Sequence, residues 1–222
     1  MLCCPWSTKT TGSSSSTSLP DSCPYRDTVS TQPTRWRRTR APRDGLGAAA
    51  PRPSGLLRWR AAATPAHRLD LDTSGLLVVA RDPATLRALQ RQFAREEVRK
   101  RYVAVVDGDV AGDRGCIELA LRPDRHERPR QVHDPVHGKP ARTTWEVIER
   151  AADRTRVALY PHTGRTHQLR VHAAHPAGLG APIRGDRLYG TGGERLLLHA
   201  QRISFRHPAS GRLIELTSSP PF

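Results

Sequence analysis

Apolar and polar positions follow no sustained period over residues 1–64, and they form regular runs from residue 65 onward. The run 76–80 is short, apolar and partly β-branched, which predicts a strand buried on both faces. A polar, turn-prone stretch over residues 65–75 leads directly into it. A second strand is predicted over residues 98–106, where it ends at an Asp-Gly pair typical of turns.

Helical spacing follows the first of these strands. Asp82 before Pro83 is typical of a helix N-cap with proline in the first turn. Leu86, Leu89 and Phe93 then recur at the spacing of one helix face. Further elements are predicted as strands over 117–121, 144–148 and 156–161, a helix after residue 167, and a terminal hairpin over 203–216.

The charge of the chain indicates a polyanionic partner. Its formal net charge is +15, from 36 basic and 21 acidic residues. Residues 67–222 alone hold 26 basic and 18 acidic residues, so the excess does not depend on the N-terminal segment. We therefore expect RNA or DNA as partner, before a membrane.

Targeting and cysteine patterns exclude some classes of protein. No apolar run approaches the length of a membrane-spanning helix, and the first residues lack the apolar centre of a signal peptide. We therefore expect a cytoplasmic protein without a membrane partner. The four cysteines form no Cys-x-x-Cys pair, which argues against a zinc site or a redox pair.

Candidate chemistry lies in the stretch before the first strand. Arg68 precedes Asp70 by two residues at the mouth of a buried strand, and it could keep that carboxylate ionised and oriented. An ionised Asp in a pocket can act as a nucleophile or a general base. The alternative is that Asp70 or Asp72 only caps a turn.

Residues 67–76 read His-Arg-Leu-Asp-x-x-Thr-Ser-Gly-Leu, which resembles the signature of the RluA family of RNA pseudouridine synthases. The resemblance implies that Asp70 is the catalytic nucleophile and that Arg68 helps to displace the target uridine from its stack. Residues 163–172 resemble the second family motif. There the resemblance implies that Arg165 pairs with the catalytic Asp and that Arg170 adds phosphate or structural contacts.

Other segments from residue 65 to the end match the same family. Lys100 and Tyr102 match a Lys-x-Tyr pair whose Tyr lies against the target base. Residues 138–143 resemble a segment that places Lys139 near RNA. Residues 195–200 resemble a motif in which Leu198 lines the pocket, and 182–190 match a turn to which we assign a structural role.

The resemblance implies an α+β pseudouridine synthase fold over residues 65–222, with a largely antiparallel central sheet, flanking helices and an RNA-binding cleft. It implies isomerisation of uridine in rRNA or tRNA to pseudouridine, by a monomer that needs no cofactor. Four histidines lie between residues 162 and 175, but their spacing suits neither a helical His pair nor a zinc finger. We expect no metal.

The segment 1–64 is low in complexity and basic, and two interpretations stay open. It could be a disordered RNA-binding arm. Alternatively, it is translated out of frame, because a shifted frame through codons 17–26 can read the Lys-Pro-Ala-Gly-Leu-Leu-Ser-Val-Pro-Gly that resembles the start of relatives. On that interpretation the usual N-terminal strand is missing.

Two other functions compete with this one. Residues 70–73 imitate the Asp-x-Asp-x-Thr of haloacid-dehalogenase-like phosphotransferases. No apolar strand precedes them, however, and the Lys and later acidic pair of such enzymes are not found. A chain without its first strand could also be an inactive or non-catalytic RNA-binding protein.

Overall fold

The computed structural model describes residues 64–222, together with the backbone of Val29–Ser30. The disordered or out-of-frame segment expected over 1–64 lies almost wholly outside the described residues. The elements in chain order are β1 (Val29–Ser30), β2 (Thr64–Pro65), β3 (Ser74–Gly75), β4 (Leu77–Ala80), α1 (Pro83–Ala94), β5 (Arg99–Asp107), β6 (Arg114–Pro123), β7 (Gln131–His133), β8 (Lys139–Ala151), β9 (Arg154–Pro161), α2 (Gln168–Ala174), β10 (Leu198–Arg206) and β11 (Leu213–Thr217).

The main sheet has eight strands in the described part of the chain. Its order is β11-β10-β5-β9-β8-β6-β7, and each neighbouring pair is antiparallel. The short β3 lies off this path and runs parallel to β10. The largely antiparallel α+β architecture expected from the sequence is therefore confirmed.

A smaller sheet lies beside the main one. It has the order β1-β4-β2, and both pairs are antiparallel. The register joins Val29 to Val78 and Thr64 to Ala80. Strand β4 is thus paired along both edges, as a strand buried on two faces requires.

Two groups of buried apolar side chains hold these layers together. The larger group lies between α2, the segment 179–198 and the main sheet, and the smaller lies between α1, β4 and the β10–β11 hairpin. Val78 is 1% exposed and belongs to the smaller group, as the apolar run 76–80 predicted.

The helix and hairpin predictions are confirmed. The Asp82 carboxylate accepts the Thr85 amide hydrogen at 2.8 Å, and Pro83 opens α1. Leu89 is buried, and Leu86 and Phe93 pack beside it. The strands predicted over 117–121 and 144–148 are longer than expected, because their outer residues pair with each other beyond the apolar positions.

Candidate active site

Asp70 lies at the first position of a tight turn. The Thr73 amide donates a hydrogen bond to the Asp70 carbonyl oxygen at 3.0 Å. Thr73 is buried, whereas Leu71 and Asp72 are exposed. The turn is therefore anchored at its far end and presents its first residues outward.

The chain that enters this turn is fixed by His67. Its Nε2 accepts the Val78 amide hydrogen at 3.0 Å, while the Ala66 amide donates to the Val78 carbonyl at 2.9 Å. The His67 ring also packs against Phe93, with 4.8 Å between ring centroids. Burial lowers the pKa of His67 to about 4, so the ring is neutral and can accept this bond.

The chain that leaves the turn is fixed by β10. Ser74 lies opposite His199 and Gly75 opposite Ala200 in the parallel pair. Gly75 has φ +112°, and a Cβ there would lie 2.3 Å from the Ala200 carbonyl oxygen. Because no side chain fits that approach, glycine is required at this position.

The same pairing brings Tyr102 to the turn. Tyr102 lies opposite Ala200 on the other side of β10, in the middle of the sheet. Burial, and then the negative charge of Asp70, raise the pKa of Tyr102 well above its usual value. The phenol therefore stays protonated, and β10 carries both the end of the Asp70 turn and the strand of Tyr102.

Arg165 does not form the ion pair with Asp70 that the sequence analysis expected. Its side chain is exposed, and Nε donates to the Pro140 carbonyl oxygen at 3.0 Å. Within residues 64–222 no ion pair shorter than 4.0 Å joins it to Asp70. The loop that carries Arg165 is held at the start of β8, which directs the guanidinium there.

Arg170 is the cation whose charge acts together with that of Asp70. Nε and Nη2 donate to the two carboxylate oxygens of Asp186 at 2.7 and 2.6 Å. Burial opposes the charge, but these bonds, the charge of Asp186 and that of Asp70 raise the pKa of Arg170. Of the phosphate or structural contacts expected for Arg170, the structure shows the structural one, with a side chain only 5% exposed, and its contact with RNA stays a prediction.

His167 and Tyr189 lie next to Arg170 in the site. His167 Nδ1 lies 2.9 Å from the Tyr189 hydroxyl, which also accepts the Gln131 amide hydrogen at 2.7 Å. The Arg170 guanidinium lies 5.2 Å from the centre of the Tyr189 ring. Burial lowers the pKa of His167, and the charge of Asp70 opposes that shift.

Gln168 holds the loop before α2 in place. Its Oε1 accepts the Thr163 hydroxyl at 2.7 Å and the Arg165 amide at 3.0 Å. Its Nε2 donates to the Arg142 carbonyl and to Thr143 Oγ1, each at 3.0 Å. The buried amide therefore uses both of its ends to join the loop to β8.

The other predicted site residues lie at different depths. Lys100 is partly buried, two positions before Tyr102 on the same face of β5, and burial lowers its pKa. Arg68 and Lys139 are exposed. Leu198 is 2% exposed and belongs to the larger core, against which Tyr102 packs.

Sequence reasoning assigned no role in the site to His167, Tyr189 or Leu71. His167 and Tyr189 lie in matched motifs, but their meeting depends on how two loops fold. Leu71 is 78% exposed next to Asp70, and an apolar residue inside a polar turn was the available signal.

The described residues offer neither a membrane-spanning helix nor a group of metal ligands. No helix within residues 64–222 is long and apolar enough to cross a membrane. Among the same residues, no three His, Cys, Asp or Glu side chains are grouped as metal ligands.

Comparison with known proteins identifies the family of this chain. The family profile described as RNA pseudouridylate synthase matches residues 57–175. The dual-specificity RNA pseudouridine synthase RluA of Escherichia coli K12 is 46% identical over 162 residues, which cover 70% of this chain and 73% of that protein. The enzyme of the same name from Pasteurella multocida Pm70 is 43% identical over 164 residues, or 71% of this chain and 74% of that protein.

Solved structures give the same result. Human RNA pseudouridylate synthase domain containing 1 is similar with a TM-score of 0.64 and 31% identity, over 72% of this chain and 70% of that one. Human RNA pseudouridylate synthase domain containing 4 has a TM-score of 0.60 at 24% identity, over 72% of each chain, which shows a shared fold. Taken with the profile match over more than half of its length, these likenesses show that the chain belongs to the RluA-type RNA pseudouridine synthases.

Proposed function

We propose that this RNA pseudouridine synthase uses Asp70 as its nucleophile on a uridine that has left its stack. The supporting observation is the place of Asp70: at the outward corner of an anchored turn, where its charge acts on Tyr102, His167 and Arg170. Two elements distant in sequence, β5 and α2 with its N-cap, thus converge on one carboxylate. A turn-capping Asp requires no such surroundings.

The reaction exchanges one bond to the sugar for another. The C1′–N1 bond breaks, a C1′–C5 bond forms, the hydrogen on C5 leaves as a proton, and N1 gains a proton. The Asp70 carboxylate can begin this by attack on C1′, which displaces the ring with the bonding electron pair, or by addition to C6 of the ring. Both routes regenerate the carboxylate, so the balance requires no redox partner.

The cations around Asp70 divide into two groups in this proposal. Arg170 supplies a fixed positive charge from the wall of the site, because Asp186 holds its guanidinium in place. Arg68, Arg165 and Lys139 are exposed and are available to phosphates. We assign to Arg68 the displacement of the uridine, which must leave its stack before its glycosidic bond can be reached. Lys100, partly buried beside Tyr102, would approach the RNA at the same site.

The substrate we propose is a structured or single-stranded segment of rRNA or tRNA. The names of the RluA enzymes from E. coli and P. multocida describe them as having dual specificity, and the same breadth is a hypothesis for this chain. A cytoplasmic location and a monomeric state remain predictions from the sequence.

The test compares three purified full-length proteins on total RNA: the wild type, Asp70→Asn and the matched Asp72→Asn. Pseudouridine is mapped by carbodiimide-dependent stops of reverse transcriptase. We expect the wild type and Asp72→Asn to create the same new stops and Asp70→Asn to create none. Equal activity of Asp70→Asn would refute the nucleophile assignment.

The second candidate function, RNA binding without catalysis, makes a different prediction in the same experiment. The exposed arginines and lysines support binding whether or not chemistry follows. If all three proteins bind RNA with salt-dependent affinity and none creates a stop, that candidate replaces the enzyme.

A further inference from the structure

We propose that His167 contacts the target uridine, donating a hydrogen bond from Nε2 to a carbonyl oxygen of the uracil ring. The proposal deepens the proposed function of the Asp70 site and rests on it. The contacts of the His167 imidazole fix both the protonation and the orientation of the ring.

The hydrogen bonds around Tyr189 decide which nitrogen of His167 carries the proton. The Gln131 amide can only donate, so the Tyr189 hydroxyl accepts there at 2.7 Å. The hydroxyl must then place its own hydrogen elsewhere, and its other contact within residues 64–222 is His167 Nδ1 at 2.9 Å. We therefore assign Nδ1 as the acceptor of that hydrogen, which places the hydrogen of the neutral ring on Nε2.

Nε2 itself is left with a hydrogen to donate. Among residues 64–222, Nε2 has no hydrogen-bond partner. Unlike the buried unpartnered atoms in that range, it is also accessible to solvent. The residue as a whole is only 8% exposed. The ring is buried, but its accessible edge carries an unused N–H donor. A small polar ligand can accept a hydrogen bond from that donor.

The position of this donor points to the reacting nucleoside. The charges of Asp70 and Arg68 both act on His167, so the ring lies within the field of the nucleophile and of the arginine assigned to uridine displacement. The guanidinium of Arg170, held by Asp186, lies over the Tyr189 ring and limits its movement. The imidazole is thus preorganised beside Asp70.

His167 also has an unfavourable backbone conformation. Its φ is +52°, in the left-handed region that few non-glycine residues adopt, although Asn, Asp and His are enriched there. Such conformations are unfavourable and concentrate at functional sites. The cost is consistent with a ring whose direction matters.

Either order of the reaction gives this donor a use. Attack on C1′ expels the ring as an anion with charge on O2 and O4, and addition to C6 moves electron density onto O4. A neutral N–H aimed at such an oxygen stabilises the charge that develops in the transition state. O4 is common to both routes, and we assign it as the acceptor.

Two substitutions separate this role from a structural one. In His167→Gln the side-chain amide nitrogen can reach the place of Nε2, whereas in His167→Asn it reaches only as far as Nδ1. Asparagine tolerates the left-handed backbone better, so His167→Asn should fold at least as well. We expect kcat to fall less than ten-fold for Gln and on the order of 100-fold for Asn, with KM little changed.

A thio-substituted RNA tests the partner atom directly. Replacing the target uridine by 4-thiouridine weakens the acceptor at position 4, and the wild type should lose rate on it. His167→Asn should lose no further rate, whereas 2-thiouridine should slow both proteins equally. If both His167 variants fail to fold, Tyr189→Phe replaces them. This variant should lower kcat on RNA that carries the natural uridine, without the same fall in kcat on 4-thiouridine RNA.

The outcomes distinguish the inference from the function beneath it. Equal losses in His167→Gln and His167→Asn, or additive effects of 4-thiouridine and His167→Asn, would overturn the hydrogen bond while leaving Asp70 as nucleophile. A wild type that modifies no uridine would overturn both.

Discussion

Ser74 Oγ lies 2.9 Å from Nδ1 of His199, and the other ring nitrogen, Nε2, lies 3.2 Å from the Ser218 carbonyl oxygen. A carbonyl can only accept, so Nε2 carries the hydrogen and Nδ1 accepts the Ser74 hydroxyl. Arg195 donates to the same hydroxyl oxygen at 3.3 Å. This chain of contacts joins the end of the Asp70 turn to β10 and to the C-terminal segment.

Ser74→Ala should therefore loosen the turn. We expect kcat to fall several-fold and the free energy of unfolding to fall by about 1 kcal/mol, because one hydrogen bond is lost and Nδ1 of His199 is left unpaired. Ser210→Ala is the matched control, since Ser210 Oγ lies 3.1 Å from His207 Nδ1 in an exposed turn. Steady-state kinetics and urea unfolding measure both, and identical kcat in the two variants would contradict the role of Ser74.

Gly75→Ala should be far more damaging than Gly211→Ala. Both glycines have positive φ, but a Cβ at Gly75 meets the Ala200 backbone, whereas one at Gly211 meets nothing within 4 Å. The left-handed backbone alone costs roughly 1 kcal/mol, which is the loss we expect for Gly211→Ala. Gly75→Ala adds a backbone clash that separates β3 from β10. Urea unfolding should give it at least twice the loss of Gly211→Ala, with no measurable pseudouridine formation.

His172 should make the protein less stable in mild acid. It is fully buried in α2, both ring nitrogens lack a partner within residues 64–222, and burial lowers its pKa to about 4. Its folded-state pKa is below the unfolded value of about 6.5, so the unfolded chain takes up the proton first as the pH falls. Stability from this group is complete above pH 6.5 and is lost between about pH 6.5 and 4.

The measurement is the free energy of unfolding at pH 7.5 and at pH 5 for the wild type and His172→Leu. The wild type should lose roughly 2 kcal/mol more than the variant over that interval. His67, whose pKa is also lowered to about 4, contributes a similar loss to both proteins and cancels in the comparison. An equal pH dependence in the two proteins would contradict the assignment.

Asp186→Ala should destabilise the protein by about 3–5 kcal/mol, because it leaves the Arg170 charge buried without a partner. Glu215→Ala breaks the exposed pair with Arg202 and should cost less than about 1 kcal/mol. The double variant Arg170→Met/Asp186→Leu should recover much of the stability, since neither charge remains. It should not recover activity, because Asp70 would lack its fixed cation. Thermal melts and the stop assay separate the two effects.

Leu71→Ala should weaken RNA binding. Its side chain is 78% exposed beside Asp70, so RNA engaged at Asp70 would cover it. Burying a leucine side chain contributes about 1.5–3 kcal/mol, and we expect the Kd for substrate RNA to rise at least about ten-fold. Leu213→Ala is the control, because Leu213 is exposed opposite Arg206 on the hairpin, about 20 Å along β10 from Ala200. Fluorescence anisotropy with labelled RNA should show no change for it.

Local signals predicted the elements better than the contacts between them. Asp82 and Pro83 identified the start of α1, because capping depends on neighbours in sequence. The turn of Asp70 was predictable from its own residues and from its resemblance to a family. The cation whose charge reaches Asp70 was not, because Arg165 and Arg170 lie in one motif, and their directions depend on Pro140 of β8 and on Asp186.

Pairing across the sheet was also beyond the sequence. The register that places Tyr102 against Ala200 includes a bulge between Ala200 and Arg202, and no local sequence pattern predicts that bulge. The role of Tyr189 was hidden for a similar reason. Its turn was explained by Gly185 and Asp186 alone, while the hydroxyl makes its contacts with His167 and Gln131.

The union of β3 with β10 has a consequence during synthesis of the protein. Ser74 Oγ donates to Nδ1 of His199 across 125 positions of sequence, and Gly75 pairs with Ala200. The turn that carries Asp70 leaves the ribosome well before the strand that fixes it. We therefore expect a nascent chain to hold its candidate nucleophile before its site exists, and ribosome-bound intermediates to be inactive toward the RNA around them.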